Sequence, residues 1–327
     1  MTTSHSADHD ADHDAADHAS DHVAEPGADQ DAGPVPPVTS DLPGSGLPGT
    51  PAAPPSRSAR LGRNLVAAIA VGVSLGVVIL ASLLFQRQAF TIVLAAAAAV
   101  GTWELAGALR RSAGIEVPLP VLLVGGQAMV WLAWPFGLQG SAVAFATTVL
   151  VSLLYRMRLG AENFLRDVGA GIFTAAYVPF FVSFAVLLVM PEDGVGRVLT
   201  YMICVVASDV GGYAAGVLAG RHPMAPTISP KKSWEGFAGS VVAGAVAGAL
   251  SVRLMLDGQW WLGAILGVVL VITATLGDLT ESLIKRDLGI KDMGTLLPGH
   301  GGLMDRMDSL LPAAFVSWAL LSAFVPT

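Results

Sequence analysis

From Asn64 onward the chain repeats one pattern, an apolar run followed by a short polar break. About 20 apolar residues span the hydrocarbon core of a bilayer as a helix. Nine runs approach that length, at 64–84, 89–109, 117–136, 140–156, 169–190, 197–219, 236–256, 260–281 and 308–326. The fourth is short, and Pro120 and Gly125–Gly126 interrupt the third. The expected fold is therefore all-α, a polytopic transmembrane helical bundle of about nine spans over residues 64–327. Composition agrees, with 53% hydrophobic and only 13% charged residues, against about 25% charged in soluble domains.

Residues 1–63 form a different class. Asp, His and Ala alternate from His5 to His22, and a Pro/Gly/Ser-rich run follows to Pro55. So few large apolar side chains cannot offset the entropy of ordering, and a disordered acidic, His- and Pro-rich tail is expected. The apolar run behind it comes too late and is too long for a signal peptide. The tail's five histidines could bind a transition metal, but the plainer reading is a solvated acidic segment. Ten acids and three arginines account for the whole net charge of −7, and residues 64–327 are neutral.

Position of charge is more informative than its total. With nine spans, one side of the membrane receives Arg57, Arg60, Arg63, Arg110, Arg111, Arg156, Arg158, Arg166, Arg221, Lys231, Lys232, Lys285, Arg286, Lys291 and Arg306. The other side receives Arg87, Arg197 and Arg253. Removing one early span would scramble this partition. The bias predicts that the N-terminus and the even-numbered loops face the cytoplasm.

Two of those loops hold most of the unusual polar residues. Pro226–Gly236 lies between spans six and seven, and Gly277–Ser309 between spans eight and nine. In the second, Asp278 ends one span while Asp305 and Asp308 open the next, three residues apart and on one face if helical. Carboxylates gathered at a membrane interface are costly unless paired or metal-bound. Hard oxygen ligands suit Mg²⁺, which favours one or two carboxylates together with substrate phosphates. Lys285, Arg286, Lys291 and Arg306 supply cations for phosphate oxygens, and Gly299-His300-Gly301-Gly302 offers backbone that can approach a ligand closely. The bland alternative is a loop whose acids and bases merely neutralise each other, which would not require Gly-His-Gly-Gly beside clustered aspartates. His300 fits phosphate binding or loop positioning better than general-base work, because a phosphate nucleophile is already an anion.

Asp209 sits about halfway along span six, where an aspartate costs at least about 2.5–3.5 kcal/mol. Tyr213 is one turn away, and Gly212 and Gly216 permit close helix approach. Asp209 is read either as structural glue or as part of a polar cavity, and the sequence leaves both open. Cys204, the single cysteine, excludes an intrachain disulfide and reads as a packing residue.

The run Ser282–Asp308 resembles the signature of the phosphatidate cytidylyltransferase family. It matches at Ser282, Lys285, Arg286, Lys291, Asp292, His300, Gly301, Gly302, Asp305, Arg306 and Asp308. Ser208-Asp-Val-Gly-Gly-Tyr213 and Ser229-Pro-Lys-Lys-Ser-Trp-Glu-Gly236 resemble further family elements, so the specific likeness covers about 207–312. It implies an enzyme that transfers the cytidylyl group of CTP to phosphatidic acid, giving CDP-diacylglycerol and pyrophosphate. By the resemblance, Asp278, Asp305 and Asp308 hold Mg²⁺, alone or as a two-metal clamp, while Lys285, Arg286 and Arg306 hold phosphates. Ser229, Lys231, Lys232 and Ser233 close the site, and Ser282, Lys291, His300, Gly301, Gly302, Asp209 and Tyr213 join the substrate-binding set. The partners implied are CTP, phosphatidic acid and membrane lipids, with no nucleic acid and with homodimerisation left open. Another lipid acceptor, such as an ether lipid or polyprenol, is the neighbouring alternative. A cation-coupled transporter is the alternative of another class, and the lack of a repeat of either loop in the first half argues against it.

Overall fold

The computed structural model describes residues 57–297 and 301–325, with side chains from Ala70 onward. The tail expectation falls outside the described residues over 1–56, as does His300, while its last seven residues, 57–63, are helical and begin α1 instead of being disordered. The described residues form ten helices and one short hairpin. In order these are α1 Arg57–Phe85, α2 Arg87–Ala113, α3 Leu119–Met157, α4 Phe164–Ala175, a π-helical turn Ala176–Phe180, and α5 Phe181–Val189. There follow α6 Gly194–Ala219, β1 Pro223–Ala225, β2 Ser229–Ser233, α7 Trp234–Met255, α8 Trp260–Asp287, α9 Met304–Met307 and α10 Leu310–Phe324.

Seven helical stretches among the described residues are long and apolar enough to cross a membrane, and Ala70–Phe85 of α1 adds a shorter apolar one. The 39 residues of α3 are too many for one crossing. They are two limbs, because Pro135 interrupts the ladder and Gly137 adopts φ 59°, ψ −148°, which only glycine takes without strain. Ser141 Oγ then donates to the Met129 carbonyl at 2.9 Å, which brings the limbs side by side. Each of the nine apolar runs thus has a helical counterpart.

Lipid tails are as apolar as leucine, so close packing rather than water exclusion holds these helices together. The sequence provides for this with Gly244-x-x-x-Gly248 on α7 facing Gly263-x-x-x-Gly267 on α8. A Cβ on Gly244 would stand 3.2 Å from the Gly267 carbonyl oxygen, and one on Gly248 3.0 Å from the Gly267 nitrogen. α6 meets α7 in the same way at Gly211 and Gly239, where a Cβ would meet the opposite backbone. α5 is the core of the bundle, buried almost throughout. Phe184 stacks edge-on against Phe315 of α10 with centroids 4.9 Å apart and tilts against Trp318 at 5.2 Å. Such aromatic pairs contribute about 0.5–1.5 kcal/mol beyond area.

The contacts sort the loops into two ends. At one end Arg87 Nη1 donates to the Pro191 carbonyl at 2.6 Å, Asp193 pairs with Arg197, and Arg197 reaches the Val325 carbonyl. At the other, Arg111 reaches Met293, Arg166 reaches Gly114, and Lys232 reaches Asp278. Arg87 and Arg197 of the sparse group are thereby tied to one set of loops, and Arg111, Arg166 and Lys232 of the rich group to the other.

Candidate active site

The predicted loop between spans eight and nine is shorter than the sequence suggests. Its first eleven residues continue α8, which ends at Asp287. Asp278, Glu281, Ser282, Lys285 and Arg286 thereby lie on the last three turns of one helix. The loop between spans six and seven is likewise not irregular, since β1 and β2 pair antiparallel. Ser233 then caps α7, its Oγ accepting the Gly236 N–H at 3.1 Å. Arg286 Nε donates to the Ile228 carbonyl at 2.9 Å and fastens the hairpin over the end of α8.

Between these elements lies a cavity of about 620 Å³. Lys231, Lys232 and Ser233 of the hairpin line it, with Asp209 and Tyr213 of α6, Asp278 and Lys285 of α8, and Asp305, Arg306 and Asp308 ahead of α10. The first turn of α7 also opens on it, at Gly236 and Phe237. Of the two readings of Asp209, this placement is the cavity one, and no hydrogen bond to Tyr213 is formed. Ser240 Oγ donates to the Ser208 carbonyl at 2.7 Å and closes the α6–α7 wall behind it.

The predicted side chains divide by what they touch. Lys232 pairs with Asp278. Asp308 has both Asp278 and Glu281 as neighbours. Glu281 is fully buried; its Oε2 accepts from Lys285 Nζ at 2.9 Å, and Asp308 is a close neighbour of its carboxylate. Asp305 is also buried but turns to the preceding loop. It accepts from Lys285 Nζ at 3.1 Å, from the Met293 N–H at 3.0 Å and from the Gly302 N–H at 2.8 Å. Three donors consume most of the roughly four lone-pair positions of a carboxylate. Among the described residues no three His, Cys, Asp or Glu side chains form a ready-made metal set. Asp278, Asp305 and Asp308 thus share the cavity without converging on one point.

Ser229, Ser282, Arg286 and Lys291 do not line the cavity. Gly301 and Gly302 shape the loop instead. Gly301 has φ +84°, and its carbonyl accepts the Leu297 N–H at 2.8 Å. A Cβ on Gly302 would stand 2.6 Å from Glu104 Oε2 and 2.8 Å from the Gly294 nitrogen.

Glu104 and Glu281 were not singled out from sequence. Glu281 lies three residues after Asp278 and four before Lys285, one helical face that became invisible once the segment was read as a loop. Glu104 is an acid within a span, which is a functional signal in its own right. It is 2% exposed, and its Oε2 accepts the Met304 N–H at 2.8 Å.

The lining holds five carboxylates and four cationic side chains, a formal charge of −1. A polyphosphate ligand would add more negative charge, which a hard divalent cation would offset. Asp278 and Asp308 fit that demand, being neighbouring carboxylates of the number Mg²⁺ takes beside phosphates.

Comparison with known proteins identifies the family. Residues 66–324 match the cytidylyltransferase family. The chain is 49% identical over 304 residues to the phosphatidate cytidylyltransferase of Mycobacterium tuberculosis (strain H37Rv), covering 87% of this chain and 92% of that one. It is 51% identical over 279 residues to that of Mycobacterium leprae, covering 80% and 89%. Against that of Pseudomonas aeruginosa it is 34% identical over 252 residues, covering 73% and 90%. The chain belongs to the cytidylyltransferase family.

Proposed function

We infer that the chain is a phosphatidate cytidylyltransferase acting at the cytoplasmic face of a membrane. A phosphate oxygen of phosphatidic acid attacks the α-phosphorus of CTP, the bond to the β-phosphate oxygen breaks, and pyrophosphate leaves as CDP-diacylglycerol forms. The observation that carries this reading is the single cavity where Lys231, Lys232 and Arg306 meet Asp278 and Asp308 at the cation-rich end of a bundle of spans.

Reactions of this kind depend on positioning and charge neutralisation. Lys231, Lys232 and Arg306 offer cations to the phosphates, and the N-terminal end of α7 adds a partial positive charge. Lys285 bridges Glu281 and Asp305, so it ties α8 to the loop as well as lining the cavity. Asp278 and Asp308 would hold Mg²⁺, which would help to neutralise phosphate charge when bound. Asp305 organises the loop that supplies Arg306. A lipid acceptor is supported by the rim, where Tyr213 is 76% and Val217 67% exposed on the outer face of α6. Acyl chains can lie there while the headgroup enters.

The test is incorporation of radiolabelled CTP into lipid by the purified protein. Phosphatidic acid should be consumed and pyrophosphate released in equal amount. Labelled product with dolichol-type polyprenol or an ether-lipid phosphate, and none with phosphatidic acid, would move the reading to a sibling reaction.

A further inference from the structure

A second cavity of about 710 Å³ opens at the C-terminal end of α2 and shares no lining residue with the reaction cavity. Arg110 and Arg111 line it, with Trp103, Glu116 and Tyr155. The Arg110 side chain has no ion pair or hydrogen bond among the described residues. Arg111 has no carboxylate partner there and donates from Nη2 to the Met293 carbonyl at 3.4 Å. Gly107 makes room for it, since a Cβ at that position would stand 2.8 Å from Arg111 Nη1. Two guanidinium groups against one carboxylate give the cavity a formal charge of +1. Planar, forked donors of this kind match the oxygens of a phosphate.

The surroundings favour a lipid as the source of that phosphate. Arg110 and Arg111 end a membrane-length helix, so they stand at headgroup depth. Trp103, two turns earlier on α2 itself, is 52% exposed and Tyr155, on the neighbouring α3, 42%, and these are the side chains that occupy a bilayer interface. The rest of the wall, from Val117 to Pro120, is apolar apart from backbone. The cavity also lies at the same end of the bundle as the reaction site, because Arg111 touches Met293, whose N–H is held by Asp305.

We propose that this cavity binds the phosphate of an anionic membrane phospholipid that is not the substrate, with its acyl chains along Trp103 and Tyr155. Arg110 is the residue that tests it, because it touches neither the signature loop nor the reaction cavity. The probe is radiolabelled phosphatidylglycerol, bound at equilibrium to the delipidated full-length protein in neutral detergent.

Wild-type protein should bind it saturably, and phosphatidylcholine should compete poorly. Arg110→Gln should weaken binding about fivefold, the scale of one basic side chain at an anionic surface. Glu116→Gln should tighten it by a similar factor, an outcome that damaged folding cannot mimic. Both variants should keep CTP incorporation within about twofold of wild type in the same neutral detergent. Equal binding by wild type and Arg110→Gln would overturn the proposal. Displacement of the lipid by inorganic phosphate at similar concentration would make the cavity a soluble-anion site. A raised KM for phosphatidic acid in Arg110→Gln would make it part of the acceptor route, and either result would equally overturn the proposal.

Discussion

Glu104 and Met304 are 200 positions apart, yet Glu104 Oε2 accepts the Met304 N–H at 2.8 Å. A span from the first half of the chain thus carries the start of the short helix that bears Asp305 and Arg306. Glu104 Oε1 has no hydrogen-bond partner among the described residues, so the carboxylate acts here through the one bond from Oε2. Glu104→Gln keeps one carbonyl acceptor and nearly the same volume. Glu104→Ala leaves the Met304 N–H unpaired and buried, which costs about 1–3 kcal/mol. Turnover should fall in the order wild type, Gln, Ala, with the Ala variant at least about tenfold down. Wild-type turnover and thermal stability in Glu104→Ala would remove Glu104 from this role.

The same carboxylate explains why residue 302 is glycine. In Gly302→Ala the new Cβ meets Glu104 Oε2 and the Gly294 nitrogen, one a side-chain end and the other backbone. Gly302→Ala should therefore be severely impaired in CTP incorporation. Glu104→Asp withdraws the oxygen by one methylene, so the double variant Gly302→Ala/Glu104→Asp should be more active than Gly302→Ala alone. Residues in contact are expected to couple in this way. Purely additive losses would show that the clash lies with Gly294 only.

These two residues also mark what could be read from the chain and what could not. The nine apolar runs were legible because a bilayer imposes one length on every span. The fold-back at Pro135–Gly137 was legible as the break between two runs. Grouping of Asp278, Asp305, Asp308 and the Lys231–Lys232 pair followed from the resemblance and from charge placement. Three features did not follow. Continuation of α8 to Asp287 was hidden by its charges, which suggested a loop, and with it the Asp278–Glu281–Lys285 face. The hairpin Pro223–Ser233 was hidden because strands of three and five residues carry almost no periodicity. Support of the loop by Glu104 and Arg111 is a contact between distant segments, which no local pattern encodes.

Orientation in the membrane rests on the cation partition, with Arg87 and Arg197 in one set of loop contacts and Arg111, Arg166 and Lys232 in the other. In a Cys204→Ala background, Arg158→Cys and Arg221→Cys should be labelled by an impermeant thiol reagent only when the cytoplasmic face is open. Asp257→Cys, in the exposed turn between α7 and α8, should be labelled in intact cells. Labelling of Arg221→Cys in intact cells would invert the bundle and put the reaction cavity on the wrong side for cytosolic CTP.

Asp278, Asp305 and Asp308 offer the sharpest test of the site because the structure gives them different partners. Each Asp→Asn change keeps shape and removes a charge, and each should lower turnover at least about 10²-fold, the scale of losing one preorganised electrostatic group. The causes differ. Asp278 and Asp308 are neighbours proposed to share Mg²⁺ with the phosphates of CTP, so the defect of either variant should be partly rescued by raising Mg²⁺. Their losses should be far from additive in the double variant, since groups that act as a unit fail together. Asp305 gives its oxygens to Lys285, Met293 and Gly302, and Asn would turn an NH₂ toward one of these donors. Added Mg²⁺ cannot repair that, so Asp305→Asn should stay inactive across the titration. Initial rates against Mg²⁺ concentration for the four variants separate the two roles. Equal rescue of all three single variants would return Asp305 to the metal, and near-full turnover in Asp278→Asn and Asp308→Asn would remove the metal from this pair.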